Sequence, residues 1–130
     1  MADYENNAYF WQKVDSLYIT GGFTRTKKKG EVHDRFKNLI YPVDYGRVAD
    51  LKGVSENGVS VYAGSGNRNT VSALVIAADI LAKELDVKIL AGCTEEEIDT
   101  VLRFLNQTEF QKTVLIRRGK VIPSWGVSSD

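Results

Sequence analysis

The sequence predicts a small α+β domain: a curved or closed β structure of five or six strands, one main helix packed on it, and a short helix at the N-terminus. Three observations carry this. Val59–Ala63 and residues 85–90 alternate between two side-chain classes with a period of two. Residues 70–80 (TVSALVIAADI) form the most apolar stretch and read as a central strand. Thr94 followed three residues later by Glu97 is a capping box, and Ile98, Val101, Leu102 and Leu105 behind it give the stripe of a core-facing helix.

In chain order, residues 6–17 read as a short helix with Phe10, Val14 and Leu17 on one face. Tyr18-Ile19-Thr20 begins an extended segment, punctuated by Gly21-Gly22. Residues 24–37 are polar and basic and read as a loop or an exposed hairpin edge. Pro42 removes a ladder donor and forces Tyr41 towards extended geometry, which puts Tyr41 and Tyr45 at a bend. Residues 47–52 read as a short strand, and Asn57-Gly58 signals a tight turn. In the next strand Val59, Val61 and Ala63 share one face while Ser60 and Tyr62 share the other. Gly64-Ser65-Gly66-Asn67 is a loop, and Asp79 ends the apolar strand. Three acids in the first turn of the main helix suit the positive end of its dipole. Residues 113–122 read as a last strand and 123–130 as a mobile tail.

Composition bounds the function. The 130 residues suit one domain, 1–130. Lys plus Arg is 17 and Asp plus Glu is 17, a formal net charge of zero, which argues against general nucleic-acid binding. At 43% hydrophobic and 26% charged, the chain is neither disordered nor fibrous. No apolar run approaches ~18 residues, so no membrane partner is expected. The opening MADYENNAYFW has no basic region before an apolar one. The single cysteine, Cys93, excludes an internal disulfide and fits a reducing, cytoplasmic setting. One His and one Cys cannot build a Cys/His zinc site, so any metal would need oxygen ligands.

Several residues could carry chemistry. Lys27, Lys28, Lys29, Arg35 and Lys37 place five positive charges within eleven residues, either a solvated loop or an anion site in which Lys is a point charge and Arg a bidentate fork. Arg117 and Arg118 on the last strand could join it. Tyr41 and Tyr45 could donate to phosphate oxygens or simply fill core. Asp79 and Glu84 could pair on a divalent cation or serve as turn and surface acids. His33 lacks an identifiable partner for general-base work, Cys93 reads as a small core residue, and Gly64-Ser65-Gly66 is no phosphate loop.

Lys29-Gly30, His33, Arg35 and then Leu39-Ile40-Tyr41-Pro42-Val43-Asp44-Tyr45-Gly46 resemble the small bacterial branch of soluble inorganic pyrophosphatases. The segments GCTEEE (92–97) and LIRR (115–118) add to the likeness, which runs from about Lys27 to Arg118. The resemblance implies a five-stranded barrel of oligonucleotide-binding type with a helix beside it. It makes Lys29, with Lys27 in place of an arginine, a phosphate ligand. It makes Tyr45 a group that reaches substrate, and Asp79 a Mg²⁺ ligand with Glu84 where a second is expected. The family's D-x-D-x-x-D run aligns with Ser55-Glu56-Asn57-Gly58-Val59-Ser60, so Ser55, Asn57 and Ser60 replace all three aspartates and only Glu56 is acidic nearby.

Mg²⁺ wants anionic oxygens in a near-octahedral shell, and metal ions neutralise the departing phosphate and acidify bound water during hydrolysis. Losing three carboxylates while keeping the cations suits direct anion binding. The expectation is therefore a catalytically degenerate pyrophosphatase-like protein. It would bind a phosphate-bearing small molecule, a nucleotide among the options, or a protein partner, through Lys27, Lys29, Arg35, Tyr41, Tyr45, Arg117 and Arg118. One alternative is an active Mg²⁺-dependent diphosphatase using Tyr45 and Asp79, with Asp79, Glu84 and Glu56 on the metal and Asp44 or Asp50 as further candidates to stand in. Another is a toxin-neutralising or nucleotide-sequestering module. A homo-oligomer is also expected.

Overall fold

A computed structural model describes residues 5–53 and 58–119. Its first element is helix α1, Ala8–Gly21, started by Asn7, whose side-chain oxygen accepts from the N–H groups of Tyr9 and Phe10. The helix does not stop at Leu17. Tyr18, Ile19 and Thr20 belong to its last turns, and the extended segment expected there begins only after Gly22, which takes φ 76° as the C-cap. The buried stripe is Trp11, Val14 and Tyr18, while Phe10 and Leu17 are about half exposed at 47% and 51%. The core-facing side is thus rotated by one residue from the expected one.

Six strands follow. They are β1 (Phe23–Lys27), β2 (Asp44–Val48), β3 (Val59–Ala63), β4 (Val71–Asp79), β5 (Glu84–Ala91) and β6 (Gln111–Arg117), with helix α2 (Glu95–Leu105) between β5 and β6. They make one mixed sheet in the order β1-β2-β3-β5-β4-β6. All neighbours are antiparallel except β3 and β5. The sheet is open: β1 and β6 are its two edges, so the closed barrel is not formed among the described residues. The α+β class and the six strands stand.

The segment 44–48 is the second strand, so Tyr45 lies inside a strand and not at a bend. Gly46 explains its place in this sequence: a Cβ there would run into the carbonyl oxygen of Thr24 on β1. The expected turn at Asn57-Gly58 and the tail 123–130 fall partly or wholly outside the described residues.

Two apolar layers flank the sheet. On one face α1 buries Trp11, Val14 and Tyr18 against Val48, Val61, Leu74 and Ile89. On the other, Ile98, Val101 and Leu105 of α2 pack on Tyr62, Ala73, Val75 and Leu90, the three helix side chains each contributing about 2 kcal/mol by burial. The capping box at Thr94 and Glu97 is formed as the sequence predicts. Asp15 of α1 receives a two-pronged ion pair from Arg118 (2.9 and 2.6 Å) and the N–H of Val71 (3.1 Å), tying helix, β4 and the end of β6 together. No described helix is long and apolar enough to cross a membrane.

Candidate functional site

Strand alternation builds the floor of a cavity of about 400 Å³ on the α2 side of the sheet. Register partners Tyr45 and Tyr62, then Arg47 and Ser60, bring β2 and β3 side chains onto this face. On β5, residues 84, 86 and 88 point the same way, so Glu84, Asp86 and Lys88 continue the floor while Leu85 and Val87 lie on the opposite side. Asp79 of β4 stands directly opposite Glu84, and Gln111 of β6 directly opposite Asp79. The walls come from Phe104, Leu105, Thr108 and Phe110 at the end of α2 and in the following turn, and from His33, Arg35, Phe36, Leu39 and Tyr41.

The last group sits on an arm between β1 and β2 that is held by its own backbone. Val32 and Ile40 form a bridge, His33 N–H donates to the Leu39 carbonyl at 2.8 Å, and Tyr41 N–H donates to the Glu31 carbonyl at 2.9 Å. Inside the arm, His33 Nδ1 accepts from the N–H groups of Arg35 (3.0 Å) and Phe36 (3.3 Å). That geometry requires an unprotonated Nδ1, leaving Nε2–H as the ring's donor. Burial lowers the His33 pKa, Lys27 and Arg35 push the same way, and Asp34 opposes them. The imidazole is therefore neutral near pH 7.

Aromatic rings line up from the arm into the core. His33 stacks on Tyr41 at 5.8 Å, Tyr41 on Tyr45 at 5.1 Å, and Tyr45 meets Tyr62 at 5.0 Å. Phe104 touches Tyr41 at 5.2 Å, and Phe36 reaches across to Phe110 at 5.7 Å. Burial pushes the Tyr41 phenol up to about 12 and Tyr62 well upward as well, so both keep their protons and can donate. The Tyr45 hydroxyl lies 3.0 Å from Ser60 Oγ, and Ser60 is buried.

The charges divide in a telling way. Of the seven arginines, Arg25 and Arg68 pair with Asp44, Arg103 with Asp99, Arg117 with Glu95, and Arg118 with Asp15. Arg35 and Arg47 have no carboxylate partner among the described residues, and both line the cavity. Arg47 is half-buried and, among the described residues, donates to the Gly58 carbonyl at 3.3 Å. Arg35 lies over the Phe36 ring at 5.7 Å. A half-buried guanidinium without a counter-ion is costly, so Arg47 favours an incoming anion, and the exposed Arg35 offers a second fork at the cavity wall.

The acids at the other end are largely engaged. Asp79 Oδ1 accepts from the N–H groups of Leu81 and Ala82, both at 2.9 Å, and so closes the β4–β5 turn. Asp86 pairs with Lys88 at 3.2 Å. Among the described residues no three His, Cys, Asp or Glu side chains gather as a metal-holding group.

Of the residues singled out in the sequence, Arg35, Tyr41, Tyr45, Ser60, Asp79 and Glu84 meet in this one cavity. Lys27, Lys29, Arg117 and Arg118 do not line it. Lys27 Nζ holds Asp34 at 2.6 Å, and the Lys29 N–H donates to Asp44 at 2.8 Å. Asp44 itself is committed to Arg25 and Arg68. Ser55, Glu56 and Asn57 lie outside the described residues. Burial pushes the Cys93 thiol up to about 12, in keeping with a core role. Sequence reasoning missed Arg47, Asp86, Lys88 and Phe104. The first three were within reach, because Arg47 follows Tyr45 by two residues and Glu84, Asp86 and Lys88 alternate with apolar side chains. No protein-family model, curated protein or solved structure matches the chain.

Proposed function

We propose that this chain is a pyrophosphatase-like protein that binds a phosphate-bearing small molecule in the cavity and does not hydrolyse diphosphate. The observation that carries the reading is the pair Arg35 and Arg47, the two arginines without a carboxylate partner among the described residues, facing one cavity. Their forks can take phosphate oxygens two at a time. Tyr45 and Ser60 supply neutral hydroxyls beside them. The buried Ser60 stands where the resemblance would put an aspartate, so the hydroxyl pair occupies a place that a metal-dependent hydrolase would give to a carboxylate. Without that charge, a Mg²⁺ ion loses a Coulomb attraction of roughly 8 kcal/mol, for a double charge against a single one at ~4 Å and an effective dielectric of ~20.

The competing reading, a Mg²⁺-dependent diphosphatase, draws on Asp79, Glu84 and Asp86 at the far end of the same cavity. A phosphate-release assay on diphosphate with Mg²⁺, Mn²⁺ or Co²⁺ separates the two. Release at the buffer background is expected. Metal-dependent release that disappears in Asp79→Ala would establish the hydrolase instead.

A further inference from the structure

The cavity is longer than an inorganic phosphate needs. Arg47 stands on β2 and Asp79 on β4, and the order β2-β3-β5-β4 puts three strand-to-strand steps between them. At about 4.8 Å per step the floor alone spans about 14 Å. A volume of about 400 Å³ also falls among pockets that enclose organic ligands.

The two ends differ in chemistry. At one end stands Arg47, which has no carboxylate partner among the described residues. Beyond it Phe104 and Phe110 frame the wall, and Phe36 closes onto Phe110 from the arm, with the Arg35 guanidinium over its ring at 5.7 Å. Below these rings lie Glu84, which makes no ion pair or hydrogen bond among the described residues, and Asp79, with one oxygen engaged by the turn. Carboxylates are acceptors only. They suit a ligand edge that carries N–H or O–H groups, while half-buried phenylalanines suit a flat ring.

We propose that the ligand is a nucleoside phosphate, its phosphate on Arg47 with Arg35 reaching in from the arm, its base against Phe36, Phe104 and Phe110, and its N–H or O–H groups donating to Glu84 and Asp79. This rests on the anion-binding reading above and narrows it to one ligand class. A phosphate on a planar, donor-bearing ring uses both ends of the cavity at once, which diphosphate is too short to do.

The test is calorimetric titration of the full chain, without divalent metal, using phosphate, diphosphate, the mono- and diphosphates of adenosine and guanosine, and the two free nucleosides. At least one nucleotide should bind 30-fold or more tighter than the inorganic anion of the same phosphate count. Phe110→Leu, in the turn after α2, should weaken that nucleotide about tenfold and leave diphosphate unchanged. Phe104→Leu should act likewise, with its fold checked by circular dichroism. Arg47→Ala should weaken nucleotides and diphosphate together. If diphosphate binds as tightly as every nucleotide and Phe110→Leu changes nothing, the nucleotide assignment falls while the anion site stands. If neither inorganic anions nor nucleotides bind, the anion site falls with it.

Discussion

His33 is the residue whose chemistry was least visible before the fold was known. Its Nδ1 accepts from two backbone N–H groups and so shapes the turn that presents Arg35 and Phe36 to the cavity. Protonating Nδ1 would replace an acceptor with a donor facing two donors. The folded arm therefore favours the neutral ring, and burial reinforces this. With the folded-state pKa lowered, the unfolded chain binds more protons in the interval below the ordinary value of about 6.5. The turn's contribution is thus complete above that value and fades as the pH falls through it. An NMR titration of the His33 ring protons should give a midpoint below 6.5, with the Arg35 and Phe36 amides shifting in the same acidic interval. A midpoint at or above 6.5 would remove this role from His33. The basic run at 27–37 showed where cations cluster but not which are free. Asp34 takes Lys27, whereas Arg35, one residue on, has no carboxylate partner among the described residues.

Among the elements, the staple between α1 and β6 decides what Arg118 does. The sequence allowed it to be an anion ligand. The structure gives both of its prongs to Asp15 and a further bond to the Val71 carbonyl at 2.9 Å. The Arg118 guanidinium is the main reason the Asp15 carboxyl sits below the usual carboxylate range. That contribution is present above the ordinary aspartate value and is lost as the pH falls through the lowered one. Arg118→Ala should cost about 1–2 kcal/mol in urea denaturation and leave diphosphate binding intact. Loss of binding without loss of stability would return Arg118 to the site. Helix α2 was fully legible because its signals are local: a capping box and a 3–4 stripe. Helix α1 was legible in kind but not in extent. Two candidate stripes, Phe10-Val14-Leu17 and Trp11-Val14-Tyr18, share Val14, and only packing against Val48, Val61 and Leu74 chooses the second.

For the whole molecule, what local pattern could not supply was strand order. The β4–β5 hairpin folds so that β5, not β4, lies beside β3, and the two run parallel. The 64–70 connection makes this passage on backbone bonds, Gly64 N–H to the Ala91 carbonyl and Gly66 N–H to that of Gly92. These contacts span more than twenty residues of sequence, so period-two alternation shows each strand's faces without fixing its neighbours. The same order separates the two ends of the cavity, since Arg47 on β2 faces acids on β4 and β5 across the floor. The central claim is that this cavity takes a phosphate-bearing anion on protein cations, without a metal bridge. Calorimetric titration of diphosphate into the full chain in EDTA tests it most directly. Saturable one-to-one binding that drops at least tenfold in Arg47→Ala is the predicted result. Binding that appears only when Mg²⁺ is restored, or that is indifferent to Arg47, would contradict it.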